Sequence, residues 1–339
     1  MKKQRSRVIT LENKPSVIAS ASVTGKTEAE GPLGCEFDFS YPDDGIGCAS
    51  WESAESALIN NAVSLVIEKA GLYKDEIDMI LAGDLLNQCT ASTYGVRSMD
   101  IPFAGLFGAC STMAYSLALA AILVDGGYLR NAVAATSSHF CAAEKQFRYP
   151  LEYGAQRSPS SQRTVTGSGA FAVGKNNKAK IFIPRVMFGK ITDKGISDTS
   201  NMGAAMAPAA AKSIAEYLSD TNTVPSDYDM ILTGDLGQVG SDILLDYILS
   251  EYGLDISRVH HDCGVMIFDR NSQDVHSGGS GCGCSAVVTA SVVMRKMSQG
   301  ELKKVLFAGT GALMSPLISL QGESIPAIAH IVEFNTEVK

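Results

Sequence analysis

Asp78-Met-Ile-Leu-Ala-Gly-Asp-Leu85 returns in the second half of the chain as Asp229-Met-Ile-Leu-Thr-Gly-Asp-Leu236, with a single difference. Each copy follows a helix-like segment, Glu55 to Ala70 in the first half and Ala209 to Ser219 in the second. Downstream, Gly127-Tyr-Leu-Arg-Asn-Ala-Val-Ala-Ala matches Gly300-Glu-Leu-Lys-Lys-Val-Leu-Phe-Ala, a helix end and basic segment leading into a buried strand. Two matches in the same order and context predict a duplicated unit. Each half reads helix, strand, loop, Gly-rich turn, apolar helix, strand. That alternation predicts an α/β fold with mostly parallel, mixed sheets covered by helices. Met79–Leu81, Met230–Leu232, Val133–Ala135 and Val305–Ala308 have the apolar character of strands buried on both faces.

The halves divide near Gly174-Lys-Asn-Asn-Lys-Ala-Lys180, a polar turn between strands Ala170–Val173 and Ile181–Val186. This places one half at 1–178 and the other at 179–339. With no Pro- or Ser-rich linker between them, they are expected to share a core. Over 339 residues, 45% hydrophobic and 19% charged supports a sizeable core. A net charge of −8 argues against non-specific nucleic-acid binding. The stretch after the basic Met1–Arg7 has no continuous apolar run, so no signal peptide is expected. Met113–Val124 is short of the ~20 apolar residues that cross a bilayer and predicts a buried helix instead. The eight cysteines then read as free thiols in an intracellular protein.

Gly105-Leu-Phe-Gly-Ala-Cys110-Ser-Thr-Met-Ala sets a cysteine where a Gly-containing turn enters that helix. Unpaired amides and the dipole at a helix start favour a thiolate. Ser111 and Thr112 are expected to bond the first-turn amides. A small buried core cysteine is the plainer reading.

A duplicated α/β half with Gly-Ala-Cys-Ser at the head of its central helix resembles the thiolase and ketoacyl synthase superfamily. Arg97-Ser-Met-Asp-Ile-Pro-Phe, Ser137-Ser-His-Phe-Cys, His260-His-Asp-Cys-Gly and Gly309-Thr-Gly-Ala-Leu-Met-Ser-Pro are similar, within it, to a stage V sporulation family. The resemblance covers essentially the whole chain. It implies an αβαβα layering and a two-fold homodimer. It also implies a role in moving dipicolinic acid (pyridine-2,6-dicarboxylate), alone or with calcium, into the developing spore. Association with other stage V channel proteins at the spore inner membrane goes with that role.

Condensing enzymes of this superfamily pair the cysteine with two further residues, His and His or Asn. At the first of those positions this chain has Thr233-Gly-Asp235-Leu. At the second, within His276-Ser-Gly-Gly-Ser280-Gly-Cys-Gly-Cys284, either Ser280 or, with a one-residue shift, His276 takes the place. The last Gly-rich element survives, with Gly309 and Gly311. A carboxylate ~4 Å from a thiolate opposes it by about 4 kcal/mol at an effective dielectric of 20. A helix start returns at most about 2 kcal/mol. Facing Cys110, Asp235 therefore keeps the thiol protonated and non-nucleophilic. Its alternative role is to cap the following helix, as Asp84 in the other repeat would. In either role a base is missing, so the expectation is a binding protein rather than an enzyme.

A planar aromatic dianion calls for guanidinium groups and a flat apolar surface. The segment from His139 to Arg163 holds Lys145, Arg148, Arg157 and Arg163 against Glu144 and Glu152, a local charge reversal. Ligand contacts are expected first from Arg148 and His139, then Arg163, together with Cys110, Asp235, His276 or Ser280, and Gly311. No cofactor is expected. His260-His-Asp-Cys263 is read as a polar segment entering a strand Val265–Phe268 rather than a metal site, because strand neighbours point to opposite faces. Cys282-Gly-Cys284 is read as tight packing at a helix start rather than a redox pair.

Overall fold

The computed structural model describes residues 6–147, 157–176 and 178–337. Ten strands form its frame. Five belong to the first repeat: β1 (Ser16–Thr24), β2 (Met79–Gly83), β3 (Phe103–Gly105), β4 (Asn131–Ser138) and β5 (Gly167–Gly174). Five belong to the second: β6 (Ile181–Met187), β7 (Met230–Thr233), β8 (His260–Asp262), β9 (Lys304–Ala312) and β10 (Ala327–Asn335). They follow one path, β8-β7-β9-β10-β6-β1-β5-β4-β2-β3. Read from the middle outwards, the order is the same in both directions. The duplicated motif thus occupies matching positions, with β2 and β7 each one strand in from an edge.

The sheet is mixed, as expected, but less parallel than predicted. β2 is parallel to β3 and β4, and β7 to β8 and β9, whereas every other pairing along the path is antiparallel. β5 and β10 start from the end at which β4 and β9 finish, so no crossover helix reverses them and they return antiparallel. The two halves of the path touch through β1 and β6 at Ser16–Phe182 and Val17–Ile181 alone.

Helices α1 (Trp51–Lys69), α2 (Thr112–Asp125), α3 (Met202–Thr221) and α4 (Cys282–Val288) complete the layers. Ser50 caps α1, accepting from the Ser53 amide. Its Leu58, Ile59, Val63 and Val66 are fully buried against the first half. Ile214, Tyr217 and Leu218 of α3 do the same on the second. Between them, Leu117 of α2 and Val287 of α4 share one core with Phe171 and Phe307 from opposite halves. α2 has no polar face to show solvent: Met113, Leu117, Ala121 and Val124 are all inaccessible, as expected for a helix packed from both sides. Among the described residues, no helix is long and apolar enough to cross a membrane.

One local prediction fails. His260–Asp262 is a strand, but Cys263–Ile267 is a helix rather than the entry to a strand over 265–268. The Asp262 carboxylate turns the chain by accepting from the Val265 amide.

Candidate functional site

Cys110 lies in a turn held by hydroxyls. Ser111 Oγ donates to Gly108 O at 2.6 Å, and Thr112 Oγ1 donates to Ala109 O at 2.6 Å while accepting from Gly108 N at 3.0 Å. This corrects the expected amide capping: both hydroxyls serve carbonyls, and the one amide met lies before the cysteine. The turn forces Ala109 to a φ of 50°, a left-handed conformation that costs a non-glycine residue about 1 kcal/mol or more. Gly311 on β9 explains how the turn can sit so low. A Cβ there would stand 2.6 Å from Gly108 O and 2.9 Å from Ser111 N.

The sulfur meets a carboxyl group. Asp235 is fully buried beside the Cys110 thiol, and the two groups shift each other's ionisation. Its Oδ1 accepts from Thr310 Oγ1 at 2.8 Å and its Oδ2 from the Gly281 amide at 2.8 Å. It does not cap the helix Gly237–Tyr252. Asp262 takes the Leu236 and Gly237 amides at 2.8 and 3.0 Å. Asp84, by contrast, does act locally, accepting from Leu86 N, Ser92 N and Ser92 Oγ. Burial pushes the Asp235 carboxyl up to about 7, against the pull of the neighbouring Cys110 thiol and of its hydrogen bonds from Gly281 and Thr310. Burial, and then Asp235, push the Cys110 thiol well above the ordinary cysteine range.

A cavity of about 120 Å³ opens beside the thiol. Leu85, Phe107, Met202, Met314 and Pro316 make its walls, and Asn87, Gln146 and Ser280 are its polar side chains besides Cys110. Of the two alternatives at the Gly-rich turn, Ser280 lines this cavity. His276, itself at a φ of 50°, pairs instead with Asp274 at 3.2 Å. Next to Asn87, Gln88 and Cys89 are both left-handed, at φ of 58° and 52°. Strain therefore sits on two sides of the cavity, as it often does where a backbone must present a ligand surface.

His139 and Arg163 do not line the cavity. The His139 ring stacks near Trp51 at 5.5 Å, its Nε2 donates to Asp44 O at 2.8 Å, and its Nδ1 accepts from Ala142 N. Burial lowers its pKa, so the ring is neutral with both nitrogens used. The Arg163 guanidinium lies over the Phe140 ring at 3.9 Å and reaches Thr27. Lys145 pairs with Glu52, and Arg157 with Asp274. Arg148 and Glu152 fall outside the described residues. None of the described residues lining the cavity is a lysine or arginine. Sequence reasoning passed over Asn87, Gln146, Met202, Met314 and Thr310. Gln146 lay inside the segment searched for cations and Thr310 and Met314 inside the quoted run Gly309-Thr-Gly-Ala-Leu-Met-Ser-Pro, while Asn87 and Met202 carry no motif.

A model of the stage V sporulation protein AD family matches residues 5–335. The chain belongs to the stage V sporulation protein AD family. A relative from Bacillus subtilis (strain 168), named stage V sporulation protein AD, is 47% identical over 318 residues, covering 94% of this chain and 93% of its own. Membership carries a sporulation role. Among solved structures, 3-oxoacyl-[acyl-carrier-protein] synthase III from Aquifex aeolicus VF5 is similar at a TM-score of 0.56 and 12% identity, covering 94% of this chain and 99% of that one. A variant of Xanthomonas campestris OleA reaches 0.60 at 12% identity, covering 96% and 99%. These likenesses show the thiolase and ketoacyl synthase fold, and at such identities the fold alone.

The His260–Cys263 and Cys282–Cys284 runs of this sporulation-family chain serve packing and strand pairing. Thr233 Oγ1 donates to Asp262 at 2.7 Å and contacts His260 Nε2 at 3.0 Å, knitting β7 to β8. Cys282 and Cys284 are free, buried thiols at the start of α4. A Cβ at Gly283, between them, would stand 2.5 Å from Gly167 O. No group of three or more His, Cys, Asp or Glu side chains suited to a metal occurs among the described residues.

Proposed function

We propose that this family member binds pyridine-2,6-dicarboxylate in the Cys110 cavity, without turning it over, and serves its passage into the spore through stage V channel proteins. The observation that carries this reading is the buried Cys110–Asp235 contact. The sulfur faces an acid where a condensing enzyme needs a base. A thiol held protonated by burial and by a carboxyl neighbour is a poor nucleophile. What remains is a small cavity whose apolar walls fit a flat ring and whose hydroxyl and amide groups fit carboxylate oxygens.

Charge sets a further requirement. A dianion in a cavity without lysine or arginine on its described walls needs a counter-charge. Arg148 is one source, and a calcium ion travelling with the ligand is the other. Calorimetry with pyridine-2,6-dicarboxylate, with and without calcium, tests the proposal. Saturable binding is expected, and silence at millimolar ligand refutes it. Arg148→Ala should weaken the calcium-free complex by about 2–3 kcal/mol if it makes a buried charged contact. Mass spectrometry after incubation with acyl-coenzyme A should show no adduct on Cys110. A stable thioester there would instead make the chain an acyltransferase. The edge strand β3, with Tyr94 and Phe107 exposed near it, supports the two-fold homodimer and gives channel subunits an alternative place to dock.

A further inference from the structure

A second cavity, of about 470 Å³, opens where β1 runs on past the start of β6. The Cys110 cavity sits beyond the carboxyl ends of the parallel strands, since Leu85 and Asn87 follow β2. Lys69 ends the helix that precedes β2, so the cavity it lines lies at the opposite edge of the sheet. β6 begins at Ile181, opposite Val17, so β1 runs on past the start of β6, and a register shift between Val17 and Ala19 in its pairing with β5 bends it there. The π-helical turn Thr289–Val293, which continues α4, closes the cavity through Ser20 Oγ on Ala290 O at 2.6 Å. Such turns gather at functional sites.

The floor is apolar: Val17, Ile18, Ile181, Ala290 and Met294. The rim is basic, with Lys69, Lys178, Lys180 and Arg295 against Glu36 and Asp38. Both acids are engaged, Asp38 by Lys69 at 2.7 Å and Glu36 by Arg295 at 2.5 and 3.0 Å. Among the described residues, the other two cations have no acid partner. Lys180 Nζ donates to Ser298 O at 3.1 Å, and Lys178 is exposed. A rim with two uncompensated lysines stands out in a chain of net charge −8.

We propose that this seam cavity binds a phosphate ester, with the phosphate between Lys178 and Lys180 and the organic body on the apolar floor. Lysine is a point-charge donor suited to phosphate. The volume falls within the range of small-molecule sites and far exceeds one phosphate ion.

Calorimetry with adenosine 5′-monophosphate as a soluble probe should show saturable, salt-weakened binding, at least about tenfold tighter than adenosine or inorganic phosphate. Co-sedimentation with phosphatidylglycerol against phosphatidylcholine vesicles forms the second arm, for a headgroup as the phosphate source. Binding in either arm that falls about tenfold or more in Lys178→Gln/Lys180→Gln supports the site and names its source. That variant should keep the parent melting temperature and, where the parent binds it, its affinity for pyridine-2,6-dicarboxylate. Absence of binding in both arms, or binding indifferent to the double substitution, overturns the proposal.

Discussion

Asp235→Asn isolates the group on which the reading of Cys110 rests. In the folded chain burial lifts the Asp235 carboxyl from 3.8 to about 7, roughly three units. At about 1.4 kcal/mol per unit, the shift corresponds to about 4 kcal/mol between the two protonation states. The sign follows from linkage. A raised carboxyl binds its proton more tightly when folded, so its stabilising contribution is complete below the unfolded value and is lost as pH rises through the folded one. The window therefore runs from about pH 4 to about pH 7. The asparagine variant has no proton to lose. Its amide oxygen can still accept from Gly281, and its NH₂ can donate to Thr310 Oγ1. Urea unfolding followed by circular dichroism across that window would compare the two chains. The stability of wild type minus variant should fall by about 4 kcal/mol from acid to alkaline limits and then level off. Glu28, lifted by burial to about 7, titrates in both chains and so drops out of the difference. A flat difference, or one that rises with pH, would mean that burial does not raise the Asp235 carboxyl and would refute the reading of it as a buried acid that keeps its proton.

Three further outcomes test the surrounding structure. At pH 8, iodoacetamide should alkylate the exposed Cys35 at least about a hundredfold faster than the buried Cys110 by peptide mass mapping, and comparable rates would show a reactive thiolate. Gly311→Ala puts a methyl group 2.6 Å from a backbone carbonyl and should cost about 1–3 kcal/mol. A melting temperature within error of wild type would show that the Cys110 turn is free to move. Asp262→Ala removes the acceptor for the Leu236, Gly237 and Val265 amides and for Thr233 Oγ1, so a loss of about 3 kcal/mol or more is expected in the same unfolding assay.

The duplication was legible because it is written in runs that must be buried. Met79–Leu81 and Met230–Leu232 have nowhere to go but the interior of a covered sheet, and the structure places them at matching positions in one strand order. Strand direction was not legible, because the character of β5 and β10 is the same whichever way they run. At the site, the charge logic at Cys110 could be followed from residue types once the family resemblance had aligned Asp235 with a missing histidine. The placement of cations could not. Lysine and arginine have long, flexible side chains whose partners come from segments distant in sequence, and Glu52 on α1 and Asp274 claim two of those in the searched segment. His139 misled for a similar reason. In sequence an imidazole looks equally available whether or not Asp44 O and Ala142 N have taken its nitrogens.

The same repeat position ends in two different jobs, and the cause lies in the chain just downstream of each copy. After Asp84 the chain runs through the strained Gln88–Cys89 step into a short helix whose Ser92 offers an amide and a hydroxyl, and the carboxylate is used up locally. After Asp235 the next helix begins almost at once, and Asp262, from the neighbouring strand, already holds its first amides. Asp235 is thereby left without local donors and turns inward to Thr310, Gly281 and the Cys110 thiol. The asymmetry that makes one thiol-lined cavity out of two equivalent halves thus rests on Asp262 as much as on Asp235. Removing Asp262 should loosen the grip on Cys110 without touching either residue of the pair, and iodoacetamide should then reach that sulfur faster than in the parent chain.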